Sequence, residues 1–257
     1  MSKLLGKRAL VTAGAQGIGL AISQQLFGAG CDVFVHYRSS AEAAQVLARE
    51  AAALGRRCAS GTADLNDTEE CERLVGEAVT FLGGLDILIN NAGSLIGRRA
   101  FAEADDDFWS QTMSLNLGSL RKMTRAALPH LIVAGETRGG ASIVNLSSLA
   151  GRKGGHGGSL AYATAKGAVL TFTRALATEL GPKQIRVNAL APGLILGTTF
   201  HSTHTSAESV QATVVTIPLG RAGNADDVAR AAVFLASEFD GFITGATLDI
   251  NGGVYCA

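Results

Sequence analysis

The sequence predicts an α/β fold: a doubly wound parallel sheet of about seven strands with helices on both faces. Three observations predict it. Short β-type runs alternate with longer helix-type runs along the whole chain, and strands joined by crossover helices pair in parallel. The strand runs are apolar throughout and do not alternate apolar with polar, as expected where helices cover both faces of the sheet. The chain has 257 residues, of which 47% are apolar and 17% charged, enough for a large core and far from a disordered composition.

The elements follow in order. "RALVTAG" (8–14) is a strand run ending in glycine, and a helix pattern follows to about Gly28. "DVFVHY" (32–37) is the second strand, and "AEAAQVLAREAAAL" (41–54) is rich in good helix formers. "RCASGTAD" (57–64) is the third strand, and "NDTEECERLVGEAVTFLG" (66–83) opens with Asn/Asp capping candidates and acidic residues that favour a helix N-terminus. "LDILINNAG" (85–93) is the fourth strand, followed by helical stretches around 105–134 with Pro129 as an expected kink or break. "ASIVNLSS" (141–148) is the fifth strand, and "SLAYATAKGAVLTFTRALATEL" (159–180) is a long helix stopped at Gly181-Pro182. "IRVNALAPG" (185–193) and "ATLDING" (246–252) complete the sheet. No linker or repeat interrupts the pattern, so a single domain over 1–257 is expected, with a substrate loop at about 194–215. The longest irregular stretch, "LILGTTFHSTHTS" (194–206), reads as a loop over a site.

Composition narrows the function classes. Formal net charge is zero, which argues against a general nucleic-acid binder. No run approaches the ~18 apolar residues of a membrane span, and "MSKLLGKRALVTAG" enters a strand directly without a signal-peptide layout, so a cytoplasmic protein is expected. Cys31, Cys58, Cys71 and Cys256 lack metal-type spacing and read as reduced thiols. The five histidines contain no HExxH pair, and no metal site is expected.

Two short stretches carry chemistry. "VTAGAQGIGLAI" (11–22) joins the first strand to the first helix. Glycines there let the backbone approach a pyrophosphate, which the unpaired N–H groups and positive dipole of the helix N-terminus favour. In such folds an acid at the end of the second strand selects NAD by binding the ribose 2′-OH. Here the strand ends "HYRSS": Tyr37 stands in the acid position, followed by Arg38 and Ser39. A guanidinium matches a phosphate with forked contacts, so NADP(H) is favoured and NAD(H) remains open. The second stretch is "SLAYATAKGAV" (159–169), where Tyr162 and Lys166 stand at i and i+4 and share a helix face. An ammonium one turn away is expected to favour the phenolate and lower a tyrosine pKa that is ordinarily near 10.

With these motifs in place, the chain resembles the short-chain dehydrogenase/reductases, with a Rossmann-type sheet, over about Lys7 to Gly253. The family turn T-G-x-x-x-G-x-G appears as "TAGAQGIG", with Ala13 in place of the first glycine and Gly14 beside it. "NNAG" (90–93), Asp64 in "AD", Asn116 in "SLNLG", "LSS" (146–148) before Tyr162 and Lys166, and "PG" (192–193) follow in the family's order. The resemblance implies a catalytic set of Asn116, Ser148, Tyr162 and Lys166. Tyr162 would be the general acid, Ser148 the oxyanion donor, Lys166 the holder of the ribose hydroxyls and Asn116 the positioner of a relay water. Ser147 is the neighbouring alternative to Ser148, and the interval from Ser148 to Tyr162 is about one residue longer than in many relatives. The implied cofactor contacts are Gly14, Gln16, Gly17, Ile18 and Gly19 in the turn, Tyr37, Arg38 and Ser39 after the second strand, Asp64 and Leu65 at the adenine, Asn91, Ala92 and Gly93, and then Pro192, Gly193, Ile195 and Thr198. A homotetramer through the long helix and residues 242–257 is implied as well.

The substrate rim draws on Ser94, Leu95, Arg98, His156, Phe200, His201 and His204. Such a rim has Arg and His for hydroxyls or a carboxylate, whereas a long aliphatic substrate would want apolar walls. A small polar carbonyl or alcohol compound, such as a sugar or sugar acid, is the expected substrate. The rival is 3-oxoacyl-carrier-protein reduction, which wants a basic docking patch that "RAALPHLIVAGE" does not supply at its end. A non-catalytic nucleotide sensor on the same fold is the reading of another class, and it is disfavoured because both Tyr162 and Lys166 are present.

Overall fold

The structure is a computed structural model that describes residues 4–198, 206–237 and 241–256. Seven parallel strands form one sheet in the order β3-β2-β1-β4-β5-β6-β7. They are β1 (Arg8–Val11), β2 (Asp32–Tyr37), β3 (Cys58–Thr62), β4 (Ile87–Asn90), β5 (Ala141–Leu146), β6 (Ile185–Pro192) and β7 (Thr247–Ile250). The order reverses between β1 and β4, which pair from Ala9↔Ile87 to Val11↔Ile89. In a doubly wound sheet the crevice at the carboxyl ends of the strands at this reversal is where ligands bind.

Helices cover both faces, as the unbroken apolar strands require. On one face, α1 (Gly17–Gly28), α2 (Ala41–Ala53) and a C-terminal helix, Ala225–Ala236, pack Ile22, Leu26, Leu47, Val228 and Leu235 against Val11, Val33 and Ile89. On the other, α3 (Thr68–Leu82), α5 (Ser119–Thr137) and α7 (Leu160–Leu180) pack Leu74, Met123, Leu131 and Leu180 against Leu10, Leu88 and Ile143. The shorter helices are α4 (Asp106–Met113), α6 (Leu149–Lys153) and α8 (Ala207–Val214), and Ala225–Ala236 is α9.

Local chemistry explains most boundaries. Asp67 caps α3, its carboxylate accepting from the Glu69 and Glu70 N–H groups at 2.8 and 3.1 Å, and Gly83 closes it in a left-handed conformation. β1 stops at Val11, because Thr12 to Gly14 turn away to begin the glycine-rich connection. Pro129 does not end its helix: α5 runs through it to Thr137. Buried Met123, Ala127, Leu131 and Ala134 anchor α5 on both sides of the proline, and tertiary packing of that stripe outweighs one missing N–H. The expected substrate loop, about 194–215, is helical in its last part, where Ser206 caps α8.

Candidate active site

The crevice at the β1/β4 reversal is a cavity of about 880 Å³, large enough for a dinucleotide half-site and a small second molecule. Its lining includes Gln16, Gly17 and Ile18 from the turn, Asn91 and Gly93 after β4, and Ser148 after β5. Tyr162 and Lys166 line it from α7, Pro192, Gly193, Ile195 and Thr198 from the segment after β6, and Arg98 and His156 from the outer loops.

The glycine turn is built by close approach. A Cβ at Gly19 would overlap the Ala13 carbonyl oxygen and lie 2.5 Å from Asn91 Nδ2, so only hydrogen fits. Asn91 Nδ2 donates to the Thr12 and Ala13 carbonyls at 3.0 and 3.1 Å, and Thr12 Oγ1 accepts from the Asn91 and Ala92 N–H groups. Ala13, the departure from the family pattern, sits at φ 49°, where a Cβ is disfavoured. It is held there by a residue without a role in the sequence reading: His36 Nδ1 accepts the Ala13 N–H at 3.0 Å, and Nε2 faces the Ala63 carbonyl at 3.1 Å. Those two partners define a neutral imidazole with the proton on Nε2, and burial lowers its pKa below 6.5. No side chain caps the N-terminus of α1, which leaves its first N–H groups facing the cavity end as anion donors. The cradle and the donors fit the pyrophosphate of a nicotinamide dinucleotide.

The second strand ends beside this turn. Arg38 and Ser39 are exposed, and Arg38 has no carboxylate partner among the described residues. Ser40 Oγ donates to Gln16 Oε1 at 3.3 Å, tying the strand end to the turn. Tyr37, Arg38, Ser39, Asp64 and Leu65 lie outside the lining of the cavity. The Asp64 carboxylate accepts from the Asn66 N–H and Nδ2, and the Leu65 side chain is buried in the core.

The floor of the cavity brings Ser148, Tyr162 and Lys166 together. Ser148 caps α6, its Oγ accepting the Ala150 N–H at 3.1 Å, and it is also hydrogen-bonded to the Tyr162 hydroxyl. Helix α6 lies tightly on α7: a Cβ at Gly151 would come within 2.6–2.7 Å of the Lys166–Gly167 backbone. That contact draws Ser148 onto the face of α7 that carries Tyr162. Ser147 is occupied elsewhere, its Oγ donating to the Lys166 carbonyl at 2.7 Å. Lys166 is 3% exposed, its Nζ donates to the Leu146 carbonyl at 2.8 Å and lies 5.8 Å from the centre of the Tyr162 ring.

The electrostatics differ from the sequence expectation. Burial pushes the Tyr162 phenol up to about 12, against a smaller lowering by the Ser148 hydrogen bond. Burial also pushes Lys166 down to about 8. Burial is the dominant influence on both groups, and on Tyr162 it outweighs the Ser148 hydrogen bond, so the phenol rather than the phenolate is favoured.

Asn116 lies at the centre of a π-helical turn, Ser114–Gly118, between α4 and α5. Turns of this kind recur at functional sites. Its Oδ1 accepts the Ser94 N–H at 3.1 Å, and its Nδ2 donates to the Ser94 and Thr112 carbonyls at 2.8 and 3.0 Å. The side chain therefore clamps the loop after β4, next to Lys166: a Cβ at Gly93 would fall 2.7 Å from Asn116 Oδ1 and 2.9 Å from Lys166 Nζ.

At the outer rim, Arg98 Nη1 donates to the Gly157 carbonyl at 3.2 Å, joining the loop after β4 to the loop after α6. Leu95 is buried and lines the cavity, whereas Ser94 lies outside the lining, bonded to Asn116 through its backbone N–H and carbonyl while its Oγ accepts the Ile96 N–H at 3.4 Å. Phe200, His201 and His204 lie outside the described residues. Lys153, Thr213 and Thr216 line the cavity without having been singled out in the sequence. Lys153 stood five residues after Ser148 in "SSLAGRK", within reach of a reading that had recognised the short helix. Among the described residues no helix is long and apolar enough to cross a membrane, and no cluster of three metal-binding side chains occurs.

Comparison with known proteins agrees with this geometry. Residues 12–255 match the family described as enoyl-(acyl carrier protein) reductase. An uncharacterized oxidoreductase of Mycobacterium tuberculosis is 37% identical over 99% of this chain and 94% of its own length. A 3-oxoacyl-[acyl-carrier-protein] reductase of Staphylococcus aureus is 34% identical over 97% of this chain and 98% of its own. Among solved structures, an NADH-dependent reductase responsible for alginate metabolism superposes with a TM-score of 0.91 at 34% identity, covering 100% of both chains, and has also been solved with NAD. A short-chain dehydrogenase of Burkholderia cenocepacia, solved with NADP, superposes with a TM-score of 0.88 at 34% identity over 98% of this chain and 99% of its own. The fold and site thus define a nicotinamide-dependent oxidoreductase. The chain belongs to the short-chain dehydrogenase/reductase family.

Proposed function

We propose that this enzyme transfers a hydride between NADP(H) and a carbonyl or secondary alcohol on a small polar substrate, such as a sugar or sugar acid. The observation that carries the reading is one cavity with the glycine turn at one end and Ser148, Tyr162 and Lys166 on its floor. A bound nicotinamide supplies the hydride. The Ser148 hydroxyl donates to the substrate oxygen as charge develops on it. Tyr162 Oη, held in its protonated form by burial, passes its proton to that oxygen, an alkoxide being more basic than a phenolate. Lys166 is the adjacent cation and the donor for the ribose hydroxyls, and Asn116 holds the loop that shapes its surroundings. Gln16 to Gly19, Asn91 to Gly93, Pro192, Gly193, Ile195 and Thr198 hold the cofactor, with Asp64 and Leu65 on its adenine side. Arg38 favours NADP(H), because it is exposed, lacks a carboxylate partner among the described residues and follows a tyrosine in the acid position; NAD(H) use is the second possibility.

The whole chain acts as one domain in this reading, and the enzyme is a cytoplasmic homotetramer built through α7 and residues 242–257. Phe242 is wholly exposed and Leu160 46% exposed in those segments, which supports an apolar interface; light scattering that gives a monomer overturns it.

The second reading is 3-oxoacyl-carrier-protein reduction, favoured by the S. aureus relative. Purified protein is offered NADPH with a 2-keto-3-deoxy sugar-acid aldehyde and, separately, with an acetoacetyl thioester. Oxidation of NADPH by the sugar acid is the expected result. Turnover of the thioester alone replaces the first reading with the second.

A further inference from the structure

The basic residues at the mouth of the cavity fall into two adjacent pairs, and each pair is divided in the same way. Arg99 is neutralised by Asp105 at 2.7 Å, while its neighbour Arg98 lines the cavity. Arg152 is neutralised by Asp249 at 3.0 Å, while its neighbour Lys153 lines the cavity. Neither Arg98 nor Lys153 has a carboxylate partner among the described residues. The described lining contains no aspartate or glutamate at all, in a chain with as many acidic as basic residues.

We propose that Arg98 and Lys153, with His156 beside them, form a subsite for a carboxylate carried by the substrate. This rests on the hydride-transfer reading above and names the substrate class it left open. The two loops that carry the cations are already locked together: Arg98 Nη1 donates to the Gly157 carbonyl, and the Arg99 N–H donates to the Gly158 carbonyl at 3.0 Å. Arg98 spends one donor on that bond and keeps the rest of its fork for an anion. Lys153 ends the short helix that Ser148 begins. At the helical rise of 1.5 Å per residue the two backbone positions are about 7.5 Å apart. With the reacting oxygen at Ser148 and Tyr162, the carboxylate is separated from the carbonyl carbon by several bonds, as at the far end of a sugar acid. Both cations are exposed, so the attraction is weakened by salt.

The test compares a 2-keto-3-deoxy sugar-acid aldehyde with its methyl ester, using NADPH, at low and high ionic strength. The acid is expected to be preferred in kcat/KM by about tenfold or more at low salt, as for a charge-assisted contact. The preference shrinks as salt rises, falls toward unity in the R98Q/K153Q double variant through KM, and is restored when K153R replaces K153Q. Arg99→Gln, whose guanidinium already has Asp105, leaves the ratio unchanged. Equal use of acid and ester, or a preference that survives in R98Q/K153Q, overturns the subsite and leaves the hydride-transfer reading standing. Failure to reduce either form, with or without turnover of an acetoacetyl thioester, overturns the sugar-acid reading and the subsite together.

Discussion

The two ends of the cavity are built from different materials. The turn end is backbone: the turn after β1 is clamped by Thr12, Asn91 and His36, Gly19 is there because a methyl group would collide, and Gly17 because its φ is +51°. The substrate end is exposed side chain: Arg98 and His156 stand on glycine-containing loops, and Lys153 is the last residue of the short helix α6. A ligand shared by many enzymes is held by a buried frame that tolerates little change. The ligand that differs between them meets surface groups that can be exchanged at small cost to stability. Tyr162 and Lys166 lie between, on α7, with Ser148 brought to them from the start of α6.

Changes at that junction have the largest effect. Tyr162→Phe removes the proton carried to the substrate oxygen, and turnover falls by about 10²-fold or more, while cofactor binding followed by fluorescence stays within a few-fold. Substantial residual turnover would move the proton donor elsewhere. Next is the rigid end. Gly19→Ala forces the turn against the Ala13 carbonyl and Asn91, and cofactor affinity drops by about tenfold or more. An unchanged dissociation constant would mean that the cofactor end is as forgiving as the rim. Arg38→Asp probes the exposed margin of the same end. The KM for NADPH rises far more than that for NADH, by about tenfold in their ratio, and an equal effect on both removes Arg38 from cofactor selection.

The smallest effect is on stability and comes from His36. Burial lowers its folded-state pKa below the ordinary value of 6.5, so the unfolded chain takes up the proton first. This contribution is fully present above about pH 6.5 and is lost as pH falls through 6.5 toward the folded value. Thermal melts between pH 8 and 5 should show Tm dropping by a few degrees, at about 2–4 °C per kcal/mol for a chain of this size. His36→Asn, which keeps a donor and an acceptor but does not titrate, should flatten that slope. A slope unchanged in the variant assigns the acid sensitivity to another group.

Legibility followed the same division. Gly17, Gly19, Tyr162 and Lys166 were readable because their chemistry demands particular residue types at particular spacings, whereas Asn91, Gly93 and Ser148 entered through the family resemblance. Ala13 was readable as a departure, but not its consequence: a left-handed alanine held by a histidine 23 residues away. Helix α9 was overlooked although Asn224 and Asp227 form a reciprocal cap whose spacing stands in the sequence. Helix α6, five residues long, has no periodicity to detect, and with it Lys153 was missed. The first asparagine of "NNAG" proved to be internal: Asn90 Nδ2 donates to Asn145 Oδ1 and Thr124 Oγ1, and Asn145 Nδ2 to Thr173 Oγ1, a buried polar ladder beneath the site.

By itself, the sequence determined the class of sheet, the order of its elements, the glycine turn and the pairing of Tyr162 with Lys166. Those features depend on contacts between near neighbours, on apolar periodicity and on side-chain chemistry at fixed offsets. Only the tertiary structure decided which hydroxyl is available, since Ser147 is consumed by the Lys166 carbonyl and Ser148 reaches Tyr162. Only it decided that burial strips water from both the phenol and the ammonium, on the phenol strongly enough to outweigh the Ser148 hydrogen bond. It also decided which cations face the cavity uncompensated, because Arg152 finds Asp249 across 97 residues while Lys153 beside it finds no carboxylate among the described residues. Solvation and charge pairing are properties of distant segments brought together, and no local pattern encodes them.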